Sequence, residues 1–498
     1  MKTAKQYTES LRRLKRVVYL FGKRMDNVVD HPIIRPSMNA VAMTYELAQR
    51  AEFSEVMTAI SHLSSERINR FTHIHQSVED LIWKSKMGRL LGAHTGCCFQ
   101  RCVGMDALNA LSIVTYDEDA QHKTTYHERF KEYLAYVQKN DLTCDGAMTD
   151  PKGDRSLPPH RQADPDLYLR VVDENEDGIV VRGAKIHQTG ALNSHEIIVM
   201  PTRKLLEADK AYAVSFAVPS DAPGITYILG RQSCDTRKLE VGKIDQGNPF
   251  FGGHEAMIIF EDVFVPWERV FMNGEYGFSG ALVENFASYH RQSYACKVGV
   301  GDVLIGASGT ISEFNGTAGA SHIKEKLIEM THLNETLYCG CIACACEGLQ
   351  APSGTYFVDP LLANVHKQNI TRFPFEISRL AQDIAGGLMV TMPSQQDLES
   401  EETGPLVRKY LIGKNEVPME NRMRILRLIE NMTLGSAAVS YLTESIHGAG
   451  SPQAQRIMIE RLSRMDQKQL LAKRLCGIEP VEAEFLVDCN DIEGKMEA

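Results

Sequence analysis

The chain is 498 residues long, too many for one ordinary domain, and its 43% hydrophobic and 24% charged residues are those of a globular protein. A net charge of -10 argues against nucleic acid as the main partner, because phosphate binding needs a basic surface, though a local basic pocket could still take an anionic cofactor or acyl carrier. No apolar run reaches membrane-spanning length and the N-terminus lacks a signal peptide's apolar core, so a cytoplasmic protein is expected, whose 12 cysteines serve as core thiols or ligands rather than disulfides.

In chain order, the basic stretch RRLKRVVYLFGKR reads as an exposed helix face rather than a membrane anchor. AVAMTYELAQRAEFSEVMTAISHL, VEDLIWKSKMGRLLGAHTGCCFQRCVGMDALNAL and HERFKEYLAYVQKN carry apolar residues at three- and four-residue spacing, which predicts a helical region over 1–144. The Pro-, Gly- and Asp-rich stretch from Cys144 to Asp166 predicts a long loop. Beyond it, LYLRVV and IVVRGAKI flank a turn at 173–178 and predict a hairpin, and EIIVMP, YAVSFAV, ITYIL and MIIFEDVFVP are further strand signals. Residues 145–275 should therefore form a β-barrel or sandwich. Residues 276–478 return to helical periodicity, with Pro418 near one helix start, and 479–498 form an acidic, weakly patterned tail that would lie along a neighbouring subunit or be mobile. Helices, then strands, then helices make the fold class α+β.

Four groups of residues could carry chemistry. In Cys98-Phe-Gln-Arg-Cys102 the two thiols would share a face if the segment is helical, with His94 on the same stripe. Cys339, Cys341, Cys344 and Cys346 are denser, but they sit among small apolar residues at spacings that match no ferredoxin pattern, so they are expected to pack rather than ligate. In SYHRQSYACKVGVGD, His290, Tyr294, Cys296 and Lys297 combine a metal ligand, a phenol, a thiol and an ammonium; a core histidine is the alternative for His290. Thr149, Arg155, the run His187-Gln-Thr-Gly190 and the segment from Gln382 to Gly387 offer hydroxyls and free backbone N–H groups to phosphates or a flavin. No GxGxxG follows a strand, so a Rossmann site is not indicated.

Taken together, GCCFQRCVGMDALNAL, PHRQADPDLYLRVV, KIHQTGALNSHEIIVMPT, YHRQSYACKVGVGD and HGAGSPQAQRIMIE resemble the 4-hydroxybutyryl-CoA dehydratase family. The resemblance implies an acyl-CoA dehydrogenase-like fold with an N-terminal helical domain, a middle β domain and a C-terminal helical bundle. It implies a cytoplasmic, oxygen-sensitive homotetramer of anaerobic fermentation that carries FAD and a [4Fe–4S] cluster. The cluster ligands would be Cys98, Cys102, His290 and Cys296, and the catalytic residues His290, Glu255, Tyr294, Glu444 and Lys297. Flavin contacts would come from Thr149, Lys152, Arg155, Ser156, Gln188, Thr189 and Gln100, and from Gln382, Gly386 and Gly387 of a neighbouring subunit. One departure stands out. His290 and Cys296 are six residues apart, one fewer than in the family pattern. In a straight helix that leaves them roughly 120° apart, so either the helix is broken around Ala295 or Cys296 is not the ligand.

The implied reaction is a hydro-lyase step, loss of water from 4-hydroxybutyryl-CoA to give crotonyl-CoA, with isomerisation of vinylacetyl-CoA as a companion activity. The C3 hydrogen is too weakly acidic for an ordinary base, whose contribution is typically about 10²–10⁴-fold. A radical route, with FAD as the electron carrier and the cluster as Lewis acid, removes that obstacle. The alternatives are a flavin-dependent aromatic monooxygenase of the same fold without a cluster, and a non-enzymatic metal-binding protein.

Overall fold

A computed structural model describes residues 1–480. Helix α1 (Ala4–Arg12) opens on a capping box between Thr3 and Gln6. Strand β1 (Val17–Leu20) and its short antiparallel partner β2 (Lys23–Arg24) follow. The stretch expected to be a helix face is thus a helix end and a hairpin. Val18 and Leu20 of β1 are buried while Val17 and Tyr19 are only partly so, the alternation of a strand, and the Val-Val-Tyr run favours that conformation. Helices α2 (Arg35–Gln49), α3 (Val78–Thr95), α4 (Cys102–His122) and α5 (Tyr126–Lys139) follow, but the end of the stretch expected to be helical up to Leu63 is instead extended, Thr58–Ile60 pairing antiparallel with Arg67–Asn69.

The expected loop from Cys144 begins instead with a strand, β3 (Cys144–Ala147), buried along its whole length because it pairs inside a sheet. The irregular segment comes after it. The expected hairpin is present as β4 (Arg170–Glu174) and β5 (Gly178–Thr189), followed by β6 (Glu196–Val199), β7 (Val214–Pro219), β8 (Ile225–Leu229), β9 (Glu255–Pro266) and β10 (Val270–Asn273). They form a six-stranded sheet in the order β2-β1-β8-β9-β5-β4 and a four-stranded sheet in the order β10-β7-β6-β3. Val181, Ile197, Val199, Phe216, Val218 and Phe260 fill the core of this middle region. Strand β1 joins the larger sheet parallel to β8, and Tyr7, Leu11, Val41 and Tyr45 pack into the same core, so the first region and the β region are welded together.

Apart from a short antiparallel pairing of Leu349–Gln350 with Tyr356–Phe357, the remainder is mainly helical and includes α6 (Tyr276–Ser293), α7 (Ala295–Phe314), α8 (Ser321–Cys346), α9 (Pro360–Ile370), α10 (Phe373–Ala385), α11 (Met419–Thr433), α12 (Glu444–His447), α13 (Pro452–Leu462) and α14 (Met465–Leu475). Pro418 caps the start of α11. A π-helical turn, Val439–Thr443, leads directly into α12. This is the α+β layout expected from the sequence. The tail expected over 479–498 lies almost entirely outside the described residues.

One packing contact sets the position of the site. Helices α3 and α7 touch backbone to backbone: a methyl group on Gly92 would overlap the Cys296 carbonyl, and one on Gly299 would overlap the Arg89 carbonyl. Only glycine permits this approach, which brings the start of α7 against the end of α3.

Candidate active site

Helices α6 and α7 are one helix interrupted at Tyr294, whose ψ of 1° departs from helical geometry. The Tyr294 N–H donates to the Arg291 carbonyl (3.3 Å) and the Tyr294 carbonyl accepts from Lys297 (2.9 Å), so three-residue bonds replace the four-residue ladder across the joint. The break falls one position before Ala295 and removes the helical objection to Cys296 facing the same way as His290.

The three expected cysteine ligands lie near one another beside this break, and the expected histidine ligand precedes it by four residues. Cys98, Cys102, His290 and Cys296 are 3%, 6%, 6% and 3% exposed, closed off from bulk water. Cys98 and Cys102 do not share a helix face as expected. Gly96 ends α3 in the left-handed conformation, Gln100 has φ of 56°, and Cys98 therefore lies on an irregular turn while Cys102 is the first residue of α4. Cys102 and Cys296 each occupy the first turn of a long helix, where the dipole favours a thiolate. Cys102 and Cys296 pack in one cluster with Leu91, Phe99 and Met105, and the three thiols are close enough to raise one another's pKa. Burial pushes Cys98 and Cys102 well up and Cys296 up to about 11, so a bound cation is needed to hold them as thiolates.

His290 stacks on Phe286 at 5.5 Å and 15°, and its Nδ1 bonds Asp106 at 2.8 Å, leaving Nε2 as its free nitrogen. Among the described residues no three His, Cys, Asp or Glu side chains converge as tightly as a single chelated ion requires. Three neighbouring thiols and an imidazole tied to the same helix joint are the donor types of a cubane, whose ligands each bind a separate iron. The dense cysteines do not converge: Cys341 and Cys344 are buried core residues of α8, Cys341 beside His366 at 3.3 Å, whereas Cys339 and Cys346 face solvent. His94 is exposed and its ring bonds the Leu90 carbonyl.

The proton-handling candidates surround the same space. The Lys297 ammonium donates to the Ser440 carbonyl at 2.6 Å and to Glu444 Oε2 at 3.2 Å, and the Tyr294 hydroxyl donates to the Glu444 carbonyl at 3.2 Å. Glu444 thus sits where a π-turn meets α12, held from two sides. Across the space, Thr189 at the end of β5 donates to Glu255 Oε2 at 2.6 Å at the start of β9. Burial, and then the charge of Glu444, push the Glu255 carboxyl up to about 8. Two carboxylates with opposed environments are the arrangement acid–base chemistry uses.

The flavin candidates divide into two groups. Thr149, Lys152, Arg155 and Ser156 lie on the loop after β3, where burial and then the charges of Arg155, Lys185 and Arg203, partly offset by Asp150, lower the Lys152 pKa. Arg155 and Ser156 are exposed, and the Ser156 hydroxyl donates to Asp154 at 2.7 Å. Gln188 is buried and bonds the Ile186 carbonyl at 2.6 Å. Gln100 has both ends of its amide occupied by protein, donating to the His254 carbonyl at 3.0 Å and accepting from Asn193 at 2.7 Å. Gln382, Gly386 and Gly387 end α10, the two glycines exposed, and no hydrogen bond joins them to the 149–156 loop within the chain.

Sequence reasoning passed over Asp106, Lys84 and Lys367. Lys84 pairs with Asp106 at 2.8 Å, both completely buried, and although burial raises the Asp106 pKa, Lys84 and His290 outweigh it and hold it low. Lys367 is buried on α9, its ammonium 4.3 Å above the Tyr294 ring and donating to the Ser445 carbonyl. An acidic residue inside the apolar run CVGMDALNAL was the available signal for Asp106; Lys367 had none.

The model for the 4-hydroxyphenylacetate 3-hydroxylase N-terminal region matches residues 3–272 and that for its C-terminal region residues 279–477. The chain is 60% identical over 486 residues, 96% of its length and 99% of the relative's, to the 4-hydroxybutyryl-CoA dehydratase/vinylacetyl-CoA-Δ-isomerase of Clostridium aminobutyricum. An oxygen-tolerant archaeal 4-hydroxybutyryl-CoA dehydratase from N. maritimus superposes with a TM-score of 0.95 at 56% identity, covering 100% of this chain and 99% of that one. The FAD-bound oxygenase component of 4-hydroxyphenylacetate 3-monooxygenase superposes with a TM-score of 0.80 at 22% identity over 96% of this chain and 100% of that one, a likeness of fold alone.

Proposed function

The chain belongs to the 4-hydroxyphenylacetate 3-hydroxylase family and, within it, to the 4-hydroxybutyryl-CoA dehydratases, and from this premise we propose that it removes water from 4-hydroxybutyryl-CoA to give crotonyl-CoA and isomerises vinylacetyl-CoA to the same product. The observation that supports the reading is the helix break at Tyr294, between His290 and Cys296, which would let both reach one cluster with Cys98 and Cys102. These four side chains would hold a [4Fe–4S] cluster. The loop with Thr149, Lys152, Arg155 and Ser156, together with Gln188 and Thr189, would hold FAD, with Gln382, Gly386 and Gly387 supplied by a neighbouring subunit of a homotetramer. When bound, FAD supplies one-electron exchange and the cluster a Lewis-acidic iron for the departing hydroxyl.

The chain's own residues orient the substrate and move protons. With Thr189 bonded to its Oε2, Glu255 keeps a proton on its other oxygen near neutral pH and is the acid of the pair. Glu444, anchored by Lys297, is the carboxylate placed to accept a proton, and the Tyr294 hydroxyl lies between it and the cluster space. His290, tethered through Nδ1, would bind the cluster through Nε2. The low exposure of all four ligands keeps water from competing with the substrate's own hydroxyl. An aromatic monooxygenase would leave this four-donor set without a task. The cysteines of the described residues are all free thiols and no described helix is long and apolar enough to cross a membrane, which supports a place in the reducing cytoplasm. The test is anaerobic incubation of the purified protein with 4-hydroxybutyryl-CoA and, separately, vinylacetyl-CoA. Crotonyl-CoA from both is expected; hydroxylation of a phenol by added reduced flavin and oxygen, with neither thioester converted, would replace this reading.

A further inference from the structure

Asp106 lies one helical turn beyond Cys102 on α4, with no exposed surface, and it bonds His290 and Ser293 just before the helix break as well as Lys84 of α3. Its Oδ2 meets His290 Nδ1 at 2.8 Å and the Ser293 hydroxyl at 2.8 Å; its Oδ1 meets the Lys84 ammonium at 2.8 Å and Ser293 again at 3.0 Å. Lys84, from α3, also donates to the Tyr289 carbonyl at 2.8 Å. Two helices, α3 and α4, are thereby tied to the last turn of α6, immediately before the joint that precedes Cys296. Both Asp106 oxygens accept from Ser293 and one also from Lys84, so the carboxylate is set as an acceptor and Nδ1 of His290 as the donor toward it.

We propose that the buried Lys84–Asp106 pair is the positioning device for two of the four cluster ligands: Asp106 fixes His290 as the Nδ1–H tautomer with Nε2 toward the iron, and through Ser293 it clamps the end of α6 so that the break at Tyr294 delivers Cys296. The inference rests on the cluster reading above. A histidine that binds metal through one nitrogen gains orientation and basicity from a carboxylate on the other, and loss of such a partner typically costs about 10–100-fold in metal affinity. The present case adds a second function, because the same carboxylate holds the backbone segment between the two ligands. In a straight helix His290 and Cys296 would diverge by roughly 120°, so the joint has to be held open against the helical ladder.

The test uses three variants of the full chain, purified anaerobically: Ser293→Ala, Asp106→Asn, and the neutral pair Lys84→Met with Asp106→Asn, which leaves no unpaired buried charge. FAD, iron and acid-labile sulfide are quantified, and ⁵⁷Fe Mössbauer spectra show whether one iron of the cluster differs from the others, as a single nitrogen ligand among three thiolates requires. The account expects wild-type FAD content in all three, iron reduced at least twofold in the two Asp106 variants, and loss of the distinct iron subsite. Ser293→Ala should keep the nitrogen-ligated subsite and lose part of its iron through Cys296. Wild-type iron and an unchanged subsite in folded Asp106 variants would overturn the role of Asp106 alone. If neither Asp106 variant folds, full iron in Ser293→Ala overturns the clamp. Wild-type protein that binds FAD without iron or sulfide would instead overturn the cluster reading itself.

Discussion

Gly448 offers a clean perturbation of the proposed proton-transfer group. It has φ of -62° and ψ of 142°, so alanine there meets no backbone strain. A methyl group would, however, overlap the Tyr294 hydroxyl, and it would lie 3.0 Å from the Glu444 carbonyl that this hydroxyl bonds. Tyr294 is buried at the helix break and Lys367 covers its ring at 4.3 Å, so the ring cannot swing away. Overpacking of this kind costs about 1–3 kcal/mol, and the lost hydroxyl bond adds about 1 kcal/mol. Moving a reacting group by about 1 Å costs on the order of 10²-fold in rate. Gly448→Ala should therefore melt a few degrees lower, keep its iron and FAD, and dehydrate 4-hydroxybutyryl-CoA about 100-fold more slowly. Differential scanning calorimetry and anaerobic turnover check this. Wild-type turnover in a variant that melts lower as expected would show that the Tyr294 hydroxyl has no part in the reaction.

Cys98→Ala should lose iron and dehydration together, while Cys341→Ala keeps both, as read from iron content and turnover; the reverse would make the α8 cysteines the site. Glu255→Gln should abolish the alkaline limb of the rate profile, which wild type is expected to show near pH 8. The sign follows from the raised pKa: the folded state holds this proton more tightly than the unfolded chain, so the stabilising contribution is present in acid and is lost as pH rises through about 8, and the variant should gain relative stability above that pH in urea unfolding. Lys367→Met leaves the Ser445 carbonyl without its donor and should cost about 1–3 kcal/mol while lowering kcat more than it raises KM, because the displaced parts are Tyr294 and the helix carrying Glu444.

Local patterns made much of this legible. The hairpin at 173–178, the strands from Glu196 to Pro266 and the helices after Tyr276 follow periodicity that a sequence displays directly. The six-residue spacing of His290 and Cys296 required a break if both were to bind one cluster, and the break is there, at Tyr294 rather than Ala295. What eluded the sequence was non-local. Strand β1 looked like a helix face because its partner β8 lies about 200 residues away, and pairing, not propensity, makes it a strand. The turn at Cys98 follows from Gly96 ending α3, a cap signal overlooked beside an apparently continuous helical stripe. Lys84 and Asp106 read as ordinary charges until three helices met and buried them together with His290.

The central claim is that Cys98, Cys102, His290 and Cys296 hold an iron–sulfur cluster beside a flavin. The most direct measurement is joint quantification of iron, acid-labile sulfide and FAD in anaerobically purified protein. The account predicts about four irons, four sulfides and one FAD per subunit. FAD without sulfide, or a single zinc in place of iron, would contradict it.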